Sequence, residues 1–255
     1  MTPQQAAEII WEGRKNNLHC PPALRGRLSL EEGYRVQMEL LALELQAGER
    51  QAGWKVGLTA KAIQQQVGVH ERVFGHLLES GELPSGTVLK FADLIQPHFE
   101  NELCVILGES LRGPGVTVAQ ARAAISGAAP AIEVVEHRGD TAGDLPLAMA
   151  DNAEQKFFVT GPLTSPLSPE VALVDTALEI HIDGAMVEEA AGHAVMEGPE
   201  GSVAWLANKL GDFGRTLEAG SKVITGSFTK QYPGVAGQRY EARFTPFGSV
   251  VIEVE

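Results

Sequence analysis

Residues 99–107 read FENELCVIL, a short segment whose second half is apolar and whose first half carries two carboxylates. Runs of this length that are rich in Val and Ile are typical of β-strands. Because strand side chains alternate between the two faces of a sheet, Glu100, Glu102, Cys104 and Ile106 are predicted to share one face. Two acidic side chains would therefore stand next to each other at the start of a strand that otherwise suits a protein core.

Apolar runs of the same kind follow one another from about residue 91 to the end of the chain, separated by Gly and Pro. They predict strands at residues 99–107, 131–135, 157–160, 178–182, 223–225 and 250–254. Two helices are predicted between them, one beginning at Thr117 and one over residues 202–210. The pair Asp183-Gly184 lies between two further strand-like stretches, as in a type I′ hairpin turn. Because the strands are too numerous and too often adjacent for a doubly wound parallel sheet, we predict an α+β fold.

The first fifty residues have the pattern of amphipathic helices. Ser29 and Glu32 have the spacing of a capping box, which predicts a helix that runs to about Glu49. The apolar stripe of this helix, at i, i+4, i+7 and i+11, consists of Tyr34, Met38, Leu41 and Leu45. We therefore expect a helical N-terminal segment over residues 1–50 and a strand-rich domain over residues 51–255, folded as one continuous unit.

The composition excludes several classes of protein. The chain has 255 residues, 44% of them hydrophobic, and its 33 acidic and 20 basic side chains give a formal net charge of −13. This charge repels phosphate backbones and anionic lipids, so we expect neither nucleic acid nor a membrane as a partner. No apolar run has the length of a membrane helix and no signal-peptide pattern is present, so a cytoplasmic protein is expected. Cys20 and Cys104 are expected to be reduced thiols, because they lie far apart without CxxC spacing.

The carboxylates predict a metal site. Glu100 and Glu102 would lie roughly 6 to 7 Å apart on one strand face, close enough to share a cation. Glu133 interrupts the apolar run over residues 130–135, where an unpaired charge would be costly. Three carboxylates without His or Cys partners suit Mg²⁺ or Mn²⁺. The alternative is that Glu100 and Glu102 are a solvated edge-strand pair and that Glu133 is a salt-bridged core residue.

Two further segments carry candidate site residues. Lys55 is the one charged residue in the Gly-flanked run over residues 53–59, where desolvation can prepare a lysine for general acid–base catalysis. The alternative is a lysine without a catalytic role, whose amine reaches solvent from the end of a strand. Residues 223–229 end a predicted strand in small hydroxyl residues and Gly226, a place where backbone N–H groups can hold a carboxylate. The alternative is that this segment is an ordinary turn.

Taken in order, eight segments resemble the 2-oxopent-4-enoate hydratase and 4-oxalocrotonate decarboxylase family, which belongs to the fumarylacetoacetate hydrolase superfamily. They are GWKVGLT (53–59), Phe74-Gly75 with Leu77, ENE (100–102), PAIEVV (130–135), ADNA (150–153), AWLANKL (204–210), TGSFT (225–229) and GSV (248–250). The resemblance implies a strand-rich mixed β-sheet roll with a helical N-terminal segment. It also implies that residues 51–255 are the catalytic domain and that the protein forms a homo-oligomer.

The resemblance further implies a Mg²⁺ or Mn²⁺ site at Glu100, Glu102 and Glu133, with Lys55 as a catalytic residue near the 2-oxygen of a 2-oxo acid substrate. A divalent ion would bring the anionic substrate to an acidic protein and would stabilise a dienolate. Substrate contacts are expected in the loops around the site, at Leu58, Thr59, Thr225, Ser227 and Lys230.

The sequence departs from the hydratase pattern in one segment. Hydratases of the family usually read Val-Asp-x-Pro-Asp-Phe-Gly where this chain reads VHERVFG over residues 69–75. His70 and Val73 replace the two acids, so His70 or Glu71 is expected to supply any missing base. The apolar Val73 resembles the decarboxylases, whereas Lys230 after GSFT resembles hydratases of dicarboxylic substrates. We expect residues 70–78 to form a mobile cover over the pocket.

Three functions remain open at this point. The first is a lyase of aromatic meta-cleavage degradation, a hydratase that adds water to a 2-hydroxy-2,4-dienoate or 2-oxo-4-enoate and produces a 4-hydroxy-2-oxo acid. The second is a metal-dependent 2-oxo-3-enedioate (4-oxalocrotonate) decarboxylase. The third is an inactive partner that scaffolds an active paralogue in a hydratase–decarboxylase complex. The intact lysine and glutamate set argues against the third function, because a scaffold has no need of it.

Overall fold

The computed structural model describes residues 1–61, 64–65, 68, 70, 72–139 and 143–255. These residues form five α-helices, namely α1 (Pro3–Lys15), α2 (Leu30–Gln46), α3 (Val118–Ala124), α4 (Leu145–Ala150) and α5 (Gly198–Asp212). They also form thirteen strands, namely β1 (Gln51–Gly57), β2 (Val73–Leu78), β3 (Glu82–Pro84), β4 (Thr87–Leu89), β5 (Pro97–Leu107), β6 (Ile125–Glu136), β7 (Gln155–Thr160), β8 (Ala177–Ile182), β9 (Ala185–Ala191), β10 (Lys222–Ile224), β11 (Tyr232–Pro233), β12 (Arg239–Thr245) and β13 (Gly248–Val254).

The strands form two mixed sheets, which confirms the predicted α+β fold. The larger sheet has the order β2-β1-β10-β5-β6-β7-β3, and β11 pairs with the outer part of β5. The smaller sheet has the order β4-β13-β12-β8-β9. Most neighbours are antiparallel, whereas β1 with β10, β3 with β7 and β4 with β13 are parallel. One large apolar cluster draws on both sheets, with Phe99 and Val105 from the first and Phe244 and Ile252 from the second.

The long antiparallel pair β5–β6 lies at the centre of the larger sheet. Its register runs from Pro97 opposite Glu136 to Leu107 opposite Ile125. Strand β6 is longer than the predicted run of residues 131–135, because pairing with β5 continues through the small residues 126–130. Small residues favour strands only weakly, so here the tertiary partner overrides the local preference.

Helix α2 begins as predicted. The Ser29 hydroxyl accepts from the Glu32 N–H, and the Glu32 side chain accepts from the Ser29 N–H, which confirms the capping box at α2. Leu45, predicted to be on the apolar stripe, is instead 39% exposed. Glu44 is buried in its place because it is paired with Arg14 and His76. No helix in the described part of the chain combines the length and apolarity that a bilayer crossing requires.

Strands β2 and β12 are among those that the sequence did not predict. Residues 73–78 form the buried strand β2, paired with β1, so this part of the predicted mobile cover is wrong. In strand β12 charged residues alternate with the buried apolar residues, so the sequence contains no continuous apolar run that would predict a strand. The hairpin between β8 and β9 is confirmed, because Asp183 and Gly184 both have positive φ, 51° and 84°.

Candidate active site

The structure brings the three predicted carboxylates together on one face of the central strand pair. Strand β5 supplies Glu100 and Glu102, and β6 supplies Glu133, which is the direct cross-strand partner of Glu100. Cross-strand partners and residues two apart share a face, so the sheet geometry itself collects the three groups. One carboxylate oxygen from each residue lies within 4.8 Å of the other two. Glu102 and Glu133 are fully buried, whereas Glu100 is half-buried.

Two carboxylate oxygens of this cluster, Oε1 of Glu102 and Oε2 of Glu133, are buried without a partner among the described residues. The other Glu133 oxygen, Oε1, is also buried, and it faces the Lys55 amine at 3.2 Å. Burial, and then the charges of Glu133 and Glu100, raise the pKa of Glu102 well above its usual value. Burial also raises the pKa of Glu133 to about 8, a rise that Lys55 opposes and Glu100 reinforces. A hard divalent cation would satisfy these oxygens and cancel their repulsion, so the residues fit such an ion.

Lys55 lies on the same face of the sheet as the carboxylates. Its strand neighbour Ile224 is in turn the neighbour of Cys104, which follows Glu102 by two positions on β5. The Lys55 amine is 3.2 Å from Glu133 Oε1 and donates to the Ala153 carbonyl over 3.1 Å. Burial alone would lower the lysine pKa, but Glu133 and the two other glutamates outweigh it and raise the pKa. The amine is therefore a buried ammonium group.

Glycines make room for the lysine side chain. Lys55 is paired with Gly75 of β2, where an added Cβ would lie 3.2 Å from Lys55 Cε and 2.8 Å from Asn152 Oδ1. An added Cβ at Gly57 would lie 3.8 Å from the Lys55 amine and 3.2 Å from Val73 Cγ2. Val73 is the strand partner of Gly57, so its side chain lies on the same face of the sheet as Lys55.

The turn after β10 binds one of the carboxylates. The Gly226 N–H donates to Glu102 Oε2 over 2.7 Å, so this N–H holds a carboxylate of the protein itself. Gly226 has φ 105°, and an added Cβ would lie within 2.8 Å of three Thr59 side-chain atoms. Only glycine fits a positive φ at such a close approach. Thr59 thus packs directly against the backbone that orients Glu102.

The other predicted substrate contacts have partners within the protein. The Thr225 hydroxyl donates to the Leu103 carbonyl, and the Ser227 hydroxyl oxygen accepts from the Asn101 N–H. Lys230 is exposed, with its amine 4.0 Å from Glu188. Leu58 has the left-handed φ of 53° and begins the turn that carries Thr59. His70 is exposed, and Glu71 lies outside the described residues.

Two groups at the site were not predicted from the sequence. The Gln231 amide donates to Glu100 Oε1 over 2.7 Å, and no local pattern marks this residue. The Asn101 amide donates to the Thr229 and Tyr240 hydroxyls, so the residue between two of the glutamates anchors the segment that carries Gly226 and Gln231. Its position inside the ENE segment was the available signal for Asn101.

Comparisons with known proteins identify the family of this chain. The family described as fumarylacetoacetate (FAA) hydrolase C-terminal matches residues 73–255. A 2-hydroxyhexa-2,4-dienoate hydratase of Comamonas testosteroni is 36% identical over 230 residues, which cover 89% of this chain and 86% of that protein. A 4-oxalocrotonate decarboxylase of Pseudomonas sp. (strain CF600) is 32% identical over 224 residues, which cover 88% of this chain and 84% of that protein.

Among solved structures, the 4-oxalocrotonate decarboxylase of Pseudomonas putida G7 complexed with magnesium and adipate superimposes with a TM-score of 0.91. It is 31% identical to this chain, and the match covers 99% of this chain and 97% of that one. The predicted roll with a helical N-terminal segment is therefore confirmed. The same decarboxylase has also been solved with calcium and acetate, so that protein accepts more than one divalent ion.

Proposed function

Because the chain belongs to the fumarylacetoacetate hydrolase family, we propose that it is a metal-dependent lyase that acts on 2-oxo acids of the meta-cleavage type. The observation that carries this proposal is the cluster of Glu100, Glu102 and Glu133 with unsatisfied buried oxygens beside a buried lysine. The preferred activity is the hydratase, which adds water to a 2-hydroxy-2,4-dienoate or 2-oxo-4-enoate. Relatives at 36% and 39% identity are named hydratases of such dienoates.

In this proposal Glu100, Glu102 and Glu133 hold Mg²⁺ or Mn²⁺. When bound, such an ion supplies Lewis-acid stabilisation of negative charge on the oxygen atoms of the substrate. The chain prepares this site in two ways. The Gly226 N–H fixes the rotamer of Glu102, and the Gln231 amide fixes that of Glu100. Hydrogen bonds of this kind orient ligand side chains and keep them in place.

Lys55 supplies the mobile proton. A lysine ammonium has three N–H donors, and here the Ala153 carbonyl and Glu133 occupy two directions. The third donor has no acceptor among the residues that the structure describes, so it can reach the 2-oxygen of a substrate bound beside the carboxylates. Lys55 would then hold or return a proton there as the enol and ketone forms interconvert, which is general acid–base catalysis. The buried position excludes bulk water from this exchange.

The decarboxylase is the second candidate, favoured by a specific observation. Val73 is the strand partner of Gly57 and lies on the sheet face of Lys55, where it supplies no acid or base. A hydratase must activate a water molecule, whereas loss of CO₂ from a substrate has no such requirement. If the protein is a hydratase, the water must be activated by His70, Glu71 or Lys55. The substrate contacts at Leu58, Thr59, Thr225, Ser227 and Lys230 likewise remain proposals.

The assembly and cellular location also belong to this proposal. We propose a cytoplasmic homo-oligomer, which the resemblance to the hydratase and decarboxylase family supports. An association with a paralogue of the other activity is the larger assembly that this resemblance suggests. Light scattering on the purified protein, alone and mixed with such a paralogue, measures both assemblies.

A turnover assay with Mg²⁺ distinguishes the candidate functions. The two substrates are 2-hydroxypenta-2,4-dienoate, which a hydratase consumes, and 2-oxohex-3-enedioate, which a decarboxylase converts with release of CO₂. The hydratase proposal predicts formation of a 4-hydroxy-2-oxo acid and loss of that activity with a chelator. If the protein only releases CO₂ from 2-oxohex-3-enedioate, the hydratase proposal is replaced by the decarboxylase. No turnover of either substrate, with the metal bound, would favour the inactive scaffolding partner.

A further inference from the structure

Asn152, Ala153 and Glu154 form a left-handed turn between α4 and β7, with φ angles of 58°, 50° and 62°. None of these residues is a glycine, and a left-handed backbone is unfavourable for every residue with a Cβ atom. Three such residues in a row persist only where the surrounding contacts hold them. The turn directs the Ala153 carbonyl at the Lys55 amine, 3.1 Å away.

Two arginines hold the start of this turn at the buried residue Asp151. Arg14 of α1 donates from Nε to Asp151 Oδ1 over 2.7 Å and from Nη2 to the Asp151 carbonyl over 3.2 Å. Arg138 donates to Asp151 Oδ2 and to the same carbonyl, both over 2.9 Å. The Arg138 N–H also donates to Glu154 Oε1, so Arg138 spans the turn from end to end.

The other side of the turn is bound to β2 next to the lysine. The Asn152 side chain accepts from the His76 N–H over 2.7 Å and donates to the His76 carbonyl over 2.9 Å. His76 Nε2 lies 2.6 Å from Glu44 Oε2, and Glu44 Oε1 accepts from Arg14 Nη1 over 2.8 Å. These contacts close a ring that joins α1, the turn, β2 and α2.

Arg14 is the only member of this ring with appreciable exposure, 22% of its side chain, against at most 5% for Asp151, Glu44 and His76. Burial alone would raise the pKa of Asp151, but Arg138 and Arg14 outweigh burial and lower it, so the carboxylate is ionised. Three guanidinium nitrogens of Arg14 serve three acceptors on two elements. A lysine has one nitrogen and cannot occupy these positions together.

We propose that Arg14 is a positioning residue for the Lys55 amine, acting through Asp151 and the left-handed turn at residues 152–154. The inference rests on the proposed function for the catalytic role of Lys55. Loosening the turn withdraws the Ala153 carbonyl and leaves the long lysine side chain with only Glu133 as a fixed partner. A misplaced amine then meets the substrate oxygen less often, because rates depend steeply on alignment.

This proposal also gives the N-terminal helices a function. The family match begins at residue 73, so Arg14 on α1 and Glu44 on α2 lie outside it. Both residues nevertheless reach the turn that contacts the lysine, directly or through His76. The helical segment thus holds the turn that contacts Lys55.

The test uses Arg14→Lys and Arg14→Met in the full chain, with Arg35→Met as the control. Arg14→Lys keeps the positive charge between Asp151 and Glu44, so it preserves the fold if Arg14→Met does not. Arg35 forms a solvent-exposed pair with Glu31 on α2 and does not contact the ring. Two quantities are measured well below the melting temperature: the rate at which acetic anhydride labels Lys55, read by peptide mass spectrometry, and kcat and KM.

Both Arg14 variants are expected to label Lys55 faster and to lose kcat by roughly ten- to a hundredfold with little change in KM. The control should match the wild type. A lower melting temperature with unchanged labelling and kcat would overturn the proposal, because the ring would then be structural only. If the wild type turns over neither substrate, the labelling result still decides the positioning of Lys55, and the proposed function fails separately.

Discussion

At the residue scale, the decisive feature is that Glu102 and Glu133 are fully buried while two of their four oxygens lack a partner among the described residues. Buried carboxylates without partners destabilise a fold, so a function such as ion binding is needed to explain why they are retained. The third glutamate, Glu100, is half-buried and opens the cluster toward one side. The cluster is therefore better suited to binding a cation than to stabilising the metal-free chain.

The first prediction concerns Glu102→Gln. We expect this variant to lose Mg²⁺ and Mn²⁺ binding in calorimetry, because a neutral amide replaces one of three charged ligands. The melting temperature of the metal-free variant should equal or exceed that of the wild type, because a buried charge has been removed. Glu109→Gln, on the exposed loop after β5, is the control. Undiminished metal affinity of Glu102→Gln would remove Glu102 from the site.

The second prediction concerns Lys55→Met, which has similar length but no amine. Turnover of the substrate that the wild type converts should fall by roughly a hundredfold or more, as expected for the loss of a general acid–base group. Metal binding should persist, because the three glutamates are intact. Lys90→Met, at an exposed position, serves as the matched control. If turnover drops by less than a few-fold, the proton transfer does not depend on this lysine.

The third prediction concerns Val73→Asp, which places an acid on the sheet face that carries Lys55. The ratio of hydration to decarboxylation, measured on the two substrates named above, should rise because the new carboxylate can activate water. Val73→Asn has the same shape without the charge and should leave the ratio near that of the wild type. An equal ratio in all three proteins would show that this position does not select the reaction.

At the element scale, β12 shows how one strand carries charge on one face and core on the other. Tyr240, Ala242 and Phe244 are buried in the main core. On the opposite face, Glu241 accepts from Arg239 over 2.7 Å and from Arg243 over 2.8 Å. Residues two apart on a strand face can interact in this way because they project in the same direction.

The fourth prediction follows from this face of β12. The hydrogen bond from Arg243, aided by Arg239 and opposed by burial, lowers the pKa of Glu241 from 4.5 to about 2. A carboxyl group whose pKa is depressed by folding stabilises the fold above the unfolded value and loses this contribution as the pH falls through the folded value. Glu241→Gln should therefore lower the free energy of unfolding at neutral pH. The expected decrease is only about 1 kcal/mol, because the two arginines are half exposed and solvent screens their interaction with Glu241.

Urea titrations at neutral pH and near the folded pKa of Glu241, about 2, measure this contribution. The difference between wild type and Glu241→Gln should shrink toward zero at the lower pH. Glu39→Gln, on the exposed side of α2, should show no such difference at either pH. A gap between wild type and Glu241→Gln that does not depend on pH would contradict the predicted ionisation.

At the scale of the whole molecule, the site couples metal binding to stability. Folding raises the pKa of Glu133 from 4.5 to about 8, so between these values the folded chain holds a proton that the unfolded chain releases. The contribution of Glu133 to stability therefore decreases as the pH rises through this window. A bound metal replaces that proton, so metal affinity should increase as the pH approaches and passes about 8.

The fifth prediction is that the rise in melting temperature from Mg²⁺, relative to a chelator at the same pH, increases with pH up to about 8. Thermal unfolding with either additive at several pH values measures it. The comparison at each pH cancels titrating groups that do not contact the metal, and Glu102, whose pKa is also raised, contributes in the same direction. In Glu133→Gln the increment should be small at every pH. An increment of constant size in the wild type would mean that protons and metal do not compete.

The sequence by itself determined the features that depend on neighbours along the chain. Strand alternation places Glu100 and Glu102 on one face, the capping box begins α2, and Asp183-Gly184 makes the hairpin turn. Each of these follows from backbone geometry over a few residues, so no partner strand is needed to predict it. The order of the eight family-like segments along the chain also predicted the family and the metal ligands Glu100, Glu102 and Glu133.

Only the tertiary structure decided which distant groups meet. The register of β5 with β6 sets Glu133 opposite Glu100, and the parallel pairing of β1 with β10 brings Lys55 to the same face. A one-residue slip in either pairing would send these side chains to the other face, and local sequence does not specify such registers. Strand β2 and the ring through Arg14 were missed for the same reason, because their stability comes from contacts between elements far apart in the chain.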